Sequence, residues 1–450
     1  MATPSAPSPT RARRRRRSRR AVSHRQRAGV AIIAVVAAIA FCMVIVNDFG
    51  SRTQVDLLQA RNNLDQMRAH FLARSALNLT DLVLRLQKRV DKLTEPGGMM
   101  AGAGSIQITD YADTLMAAFG GDAEQVESAI GVSMADTKGL GTSIGSFGVR
   151  ITPIDGKINV NCANGAPSQQ KIVRQALAGL LFPPAFDPVF EEEDGEGWRR
   201  DRATQVDAIM DYIDRDLDRG EQRSGPEDYG YENLKDRYLA KNRPLDSVAE
   251  LKLVRGVDDR FWALFGQAFR VAGACEINLR AVDDPKIMVA IIQLAAAKPE
   301  QVDVTNAWAI AQLMLQAKQL GWMLDSTDEF ISFVKDPKAK IDELTGAALT
   351  GAAGGGGGAT GGGATPIIAV PAGVVGIDLV KAKVDQLAKA VPIRVYDVEV
   401  YGEVTRGGVL NPLRRTIHGT WDQVFTLDKS RVHKTHREIG NGTWLYLREE

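Results

Sequence analysis

Residues that build reaction centres are scarce in this sequence. It has three cysteines in 450 residues, at Cys42, Cys162 and Cys275, and five histidines. His433 and His436 stand three apart with no second pair to complete a zinc site. No Ser/His/Asp or Cys/His arrangement suggests nucleophilic catalysis, so the chain reads as a non-enzyme. Acid is absent from residues 1–29, which hold ten of the 56 basic residues, all arginine, leaving 46 basic against 55 acidic, net −9. So acidic a body argues against a nucleic-acid surface. Proline and glycine are absent between Ser51 and Glu95, which leaves nothing to break a helix there.

The run Ala28 to Val46 carries no charge in nineteen residues. At 1.5 Å per residue it spans roughly the 30 Å hydrocarbon core, and it exceeds a secretory h-region. Arginines crowd one flank only. The positive-inside rule therefore predicts a single-pass inner-membrane protein with residues 1–27 cytoplasmic and the body periplasmic, the arginines lying against anionic lipid. Beyond the membrane, Leu57, Leu64, Met67, Phe71, Leu79, Leu82, Leu86 and Val90 form one apolar stripe at helical spacing. Pro96-Gly97-Gly98 ends it. The spacing predicts one rod from Val30 to about Thr94, roughly 95 Å long, with Leu57, Leu64, Phe71, Leu79 and Leu86 as its packing face and a domain carried on that stripe.

Arg27-Ala28-Gly29 running into Val30 resembles a type IV prepilin leader. The resemblance implies cleavage by a prepilin peptidase between Gly29 and Val30, and methylation of the new terminus. Most such proteins carry Glu at the fifth mature position. Here that residue is Ala34, a departure shared by the K-type minor pseudopilins of type II secretion, where a tip subunit has no neighbour above it.

In the body, Gly139 to Gly145 lacks dinucleotide-loop spacing and reads as a loop. Phe147, Val149 and Ile151 alternate, Asp155-Gly156 offers a turn, and Ile158 and Val160 alternate again, which predicts a hairpin. Residues 171–345 are mostly helical in pattern. The stretch 346–366 is a low-complexity Gly-rich linker. Ile377 to Ala390 reads as a helix, Ile393 to Trp421 as strands turned at Arg406-Gly407-Gly408, and Trp444 to Leu447 as a final strand. The order predicts an α+β fold with an antiparallel sheet and an inserted helical domain. Its segments are a leader (1–29), the long helix (30–95), sheet-domain parts (96–165 and 367–450), the insertion (166–345) and the linker (346–366).

The ordered set Asp155-Gly156-Lys157-Ile158-Asn159-Val160-Asn161, Ala208-Ile-Met-Asp-Tyr-Ile213-Asp214, Gly225-Pro-Glu227-Asp228, Asn242-Arg-Pro244-Leu245, Ser247 to Val257 and Glu276-Ile277-Asn278-Leu279 resembles the general secretion pathway protein K family. That implies a pilin-like fold with a SAM-like insertion, a place at the tip of a periplasmic pseudopilus, and partners among I- and J-type minor pseudopilins and the major pseudopilin. It also implies calcium in the insertion. Asp214, Asp216, Glu227 and Asp228 supply oxygens in a loop that is not an EF-hand, since Gly225 stands where the twelfth-position Glu belongs. The alternative is a solvated loop paired with Arg215, Arg219 and Arg223. Cys162 and Cys275 flank two similar Ile-Asn segments; a disulfide and two separate thiols both remain open. Ser247 to Phe265 has a helix-hairpin-helix outline, but Asp258 and Asp259 stand where phosphate would lie. Two further readings are a membrane-anchored DNA receptor built on that element and a generic signal-anchored periplasmic protein.

Overall fold

The computed structural model describes residues 24–94, 99, 107–114, 116, 145–191, 201–217, 220, 231, 237–350, 368–405, 412–423 and 442–450. The Gly139 loop apart from Gly145, the Arg406–Gly408 turn, His433 and His436 lie outside them, as do most of the leader and Gly-rich linker.

Two compact units divide at Met67 and Arg68. The helix α1 (His24–Thr94) runs through both without a break. In the first unit its residues from Val30 to Phe49 are exposed, and the helix is apolar enough there to cross a membrane, by length and composition.

The second unit holds a four-stranded antiparallel sheet in the order β1-β6-β7-β8, with β1 (Ser146–Pro153), β6 (Val395–Val404), β7 (Leu413–Asp422) and β8 (Thr443–Glu449). Alternate residues of β6 (Tyr396, Val398, Val400, Gly402, Val404) face α1 with Phe147, Val149, Ile417 and Trp421. The helix meets them with Ala69, Leu72, Ala73, Ala76, Val83 and Leu84. Small residues on the helix and Gly402 on the strand bring the two backbones together.

A second core lies between β1 and β6 in sequence. It is built from β2 (Ile158–Asn159), α2 (Pro167–Leu181), α3 (Asp187–Glu191), α4 (Arg202–Asp211), α5 (Asp259–Phe265), β3 (Phe269–Arg270) and β4 (Ile277–Asn278). It continues through α6 (Pro285–Ala295), α7 (Val304–Gln319), α8 (Thr327–Lys335), α9 (Pro337–Thr350), α10 (Lys381–Leu387) and β5 (Ala388–Lys389). Helix α6 is buried on nearly every side, which its sequence Ile287-Met-Val-Ala-Ile-Ile292 permits.

Four expectations need correction. Asp155-Gly156 does turn the chain, with the Lys157 amide donating to the Ile154 carbonyl. The flanking strands nevertheless do not pair: β1 is antiparallel to β6, while β2 is parallel to β3. Asp155 explains the divergence, because its carboxylate accepts the backbone amides of Arg394 and Val395 and so draws β6 to the end of β1. The helical core also begins near Ile158 rather than at 166, and it reclaims Val384 to Ala388 after the linker. Helix α9 runs on to Thr350, into the first residues of the Gly-rich tract. Finally, the helix expected over Ile377 to Ala390 is only Lys381–Leu387, because other elements hold the backbone before it. Val375 pairs with the Asn306 amide, Ile377 donates to Val334, and Val380 donates to Ala295.

Candidate functional site

The surface that α1 leaves open is the first candidate. Helical geometry gives residues 68–94 two apolar faces, and the sheet covers only one. Ala69, Ala73 and Ala76 are fully buried, whereas Phe71, Leu82 and Leu86 are exposed and Leu79 is half-buried. The expectation that the domain rides on the Leu57–Leu86 stripe is therefore corrected for Phe71 and Leu86: the sheet takes the alanine face, where backbones approach closest, and of the expected stripe Leu79 packs partly against that core. Leu57 and Leu64, in the first unit, are exposed as well. Val30 is exposed, and the Gly29–Val30 bond lies within the helix that starts at His24.

The seam between the two cores is held by a buried ion pair whose partners stand 115 residues apart in sequence. Arg270 is 1% exposed and its Nη1 donates to Asp155 Oδ1 at 3.2 Å. Its remaining donors take the carbonyls of Lys157, Ala272, Ala274 and Glu276. Burial pushes the Asp155 carboxyl up and the Arg270 guanidinium down, and each is the main counterweight to the other. The Asn159 side chain donates to Gly273 and Ala274 as well. Together they wrap the Ala272–Glu276 segment so that Cys275 meets Cys162, and the two form a disulfide with Cα atoms 5.7 Å apart. The only sequence hint was a lone charge within the apolar stretch Ala268-Phe-Arg-Val-Ala272.

Of the expected calcium ligands, Glu227 and Asp228 lie outside the described residues. Asp214 is buried just past the end of α4, its amide donating to the Met210 carbonyl at 3.0 Å. Asp216 is exposed, and its carbonyl accepts from the Asn242 side chain. Asp211, missed at the sequence level, is also buried, and its carboxylate accepts the Gly220 amide at 3.2 Å. Arg215 turns to Asn164 rather than to a carboxylate. Among the described residues no group of three His, Cys, Asp or Glu side chains is placed to hold a metal.

The Ser247–Phe265 hairpin is a 3-10 turn (Val248–Leu253), a left-handed Gly256 and the short helix α5. Asp258 caps α5 by accepting the Phe261 amide at 2.8 Å. A carboxylate therefore already occupies the helix start that a phosphate would need.

Residues 156–265 match the family model described as "Type II secretion system (T2SS), protein K". No curated protein matches the chain. Among solved structures, one chain of "The Crystal Structure of the GspK-GspI-GspJ complex from enterotoxigenic Escherichia coli Type 2 Secretion System" is similar at 14% identity and a TM-score of 0.45, covering 87% of this chain and 99% of that one. The matched segment opens with the Gly156 turn and closes at the end of α5.

Proposed function

We propose that this chain is a non-enzymatic, K-type minor pseudopilin of the type II secretion system, seated at the tip of the periplasmic pseudopilus. The observation that carries this reading is the protein K match, which falls on the large block between β1 and β6. Two features support it. A single helix continues from an apolar span into the sheet domain, and that helix keeps an apolar stripe exposed beside the sheet. A subunit carrying so bulky an insertion suits a filament end, since stacking it repeatedly along a thin rod would place one insertion against the next. Its partners are then I- and J-type minor pseudopilins and the major pseudopilin. Its processing enzyme is a prepilin peptidase acting between Gly29 and Val30, and its location is the inner membrane with the body periplasmic. N-terminal sequencing of membrane-extracted protein should begin at Val30; a start at Met1 or Ala2 removes the reading.

Calcium in the insertion is part of the same proposal. Asp214, Asp216, Glu227 and Asp228 form an all-oxygen donor set, which suits calcium rather than zinc. Asp211 and Asp214 are each buried, at the end of α4 and just past it, and both belong to the acidic stretch that leads into this loop. Melting of the full chain should rise with calcium and fall with chelator; identical curves would count against a site here.

A further inference from the structure

Residues 368–380 cross the helical core on its outside. Every one of them is half-buried or exposed, and Val375 is 65% exposed. The ground beneath is closed, with Ala295, Ala296 and Val334 at most 1% exposed. Val374, Ile377 and Leu379 rest half-buried side chains on that core. What fastens the segment is main-chain bonding. The Asn306 side chain of α7 grips Val375 twice, its Nδ2 donating to the carbonyl at 2.7 Å and its Oδ1 accepting the amide at 3.0 Å. Ile377 donates to the Val334 carbonyl at the end of α8 at 3.0 Å, and Val380 to the Ala295 carbonyl at the end of α6 at 2.8 Å. The Ala297 amide donates to the Asp378 carbonyl at 2.9 Å, and Leu379 bridges Ala296 in antiparallel fashion.

Bonds of this kind read an extended backbone rather than particular side chains. The position they restrict is Gly376, where a Cβ would collide with the Lys335 carbonyl, a backbone group that cannot swing aside. The segment is thus held as a bound peptide is held: extended, added beside Ala296 like a strand, with no buried side chain of its own. On its departure the Ala295 and Val334 carbonyls, both on buried residues, would lose their partners, so the groove calls for another extended chain in its place. We propose that residues 374–380 are an exchangeable strap, covering in cis a docking groove for an extended segment of a partner protein. That segment carries glycine at the Gly376 place and apolar residues at those of Val374, Ile377 and Leu379. It enters by taking over the strap's five hydrogen bonds to Asn306, Val334, Ala295 and Ala297. The groove goes beyond the pseudopilin reading and does not rest on it.

The test uses the full chain in detergent micelles and a fluorescein-labelled peptide of residues 373–381, read by fluorescence anisotropy. Gly376→Ala in the chain evicts its own strap and leaves the groove intact. The peptide should then bind saturably and about tenfold or more tighter than to wild type, where the strap competes. Adding Asn306→Ala to the opened chain should weaken binding about fivefold, the loss of its two hydrogen bonds. A peptide that itself carries Gly376→Ala should not bind. If the opened chain does not fold, Leu379→Asp, at a half-buried position of the strap, takes its place. Absence of binding to a folded, opened chain overturns the proposal, as does equal binding of the two peptides or equal binding to opened and wild-type chains. Failure of both strap variants to fold also overturns it, because the strap would then be a fixed part of the core.

Discussion

Gly402 of β6 lies directly beneath Ala69 of α1: a Cβ built on the glycine would stand 2.2 Å from the Ala69 carbonyl oxygen and 2.5 Å from the Ala73 amide nitrogen. Both obstacles are backbone, so neither can swing aside as a side-chain end would. Gly402→Ala should therefore separate helix from sheet and destabilise by roughly 1–3 kcal/mol, the usual range for overpacking. Chemical denaturation of the solubilised chain reads this directly. A neutral result would mean that the helix does not sit on β6 as described.

The disulfide closes a sequence separation of 113 residues around much of the helical core. Removing a cross-link of that span is expected to cost roughly 2–5 kcal/mol, chiefly through the freer unfolded chain. Cys162→Ser/Cys275→Ser should lower the denaturation midpoint, and reductant should lower the wild type to match. Cys42→Ser should do neither, since Cys42 is the free, exposed thiol.

Much of this architecture was legible because it depends on local pattern. The alternation in Val395–Val404 and the breaker-free run after Ser51 specify β6 and α1 on their own. What stayed hidden depends on partners distant in sequence. The stripe of Phe71, Leu82 and Leu86 outweighs Ala69, Ala73 and Ala76 in hydrophobicity, yet the sheet chose the alanines because close backbone approach requires small side chains. Periodicity reveals an apolar face but not which face is covered. Asp155-Gly156 likewise has hairpin chemistry, and only the distant amides of Arg394 and Val395 redirect the strands. The acidic loop was legible as composition alone; half of the calcium ligands proposed on it lie outside the described residues.

Glu250 closes the capping box of the Val248–Leu253 turn, accepting the amides of Asp246 and Ser247 and an ion pair from Lys241. Burial works against its charge, but Lys241 and the two amides outweigh it and hold the carboxyl below its ordinary value. A depressed folded pKa contributes stability above the unfolded value and loses it as pH falls through the folded one. Glu250→Ala should cost about 1 kcal/mol at neutral pH, as cap losses do. The gap from wild type should narrow as pH drops below 4, in paired melting curves. A gap independent of pH would show that the carboxylate's charge is not what holds the turn.

Lys318 offers the opposite sign at the other end of the pH scale. It projects from α7 into the seam beside the sheet domain, and its Nζ donates to the Val282 carbonyl at 2.6 Å. Burial lowers its pKa to about 8 from 10.5, with Asp283 and Asp110 only partly restoring it. Below pH 8 the ammonium is charged in both folded and unfolded chains, so its desolvation burdens the fold in full. Between pH 8 and 10.5 the folded state releases its proton while the unfolded chain keeps one, so stability rises with pH there. Relative to Lys318→Met, which cannot titrate, wild type should gain on the order of 1 kcal/mol per pH unit across that window. Parallel denaturant titrations of the two proteins at pH 7, 8.5 and 9.5 isolate this group, because every other titration is common to both. A constant difference across the series would mean that the amine is solvated and that the seam beside Val282 is open to water.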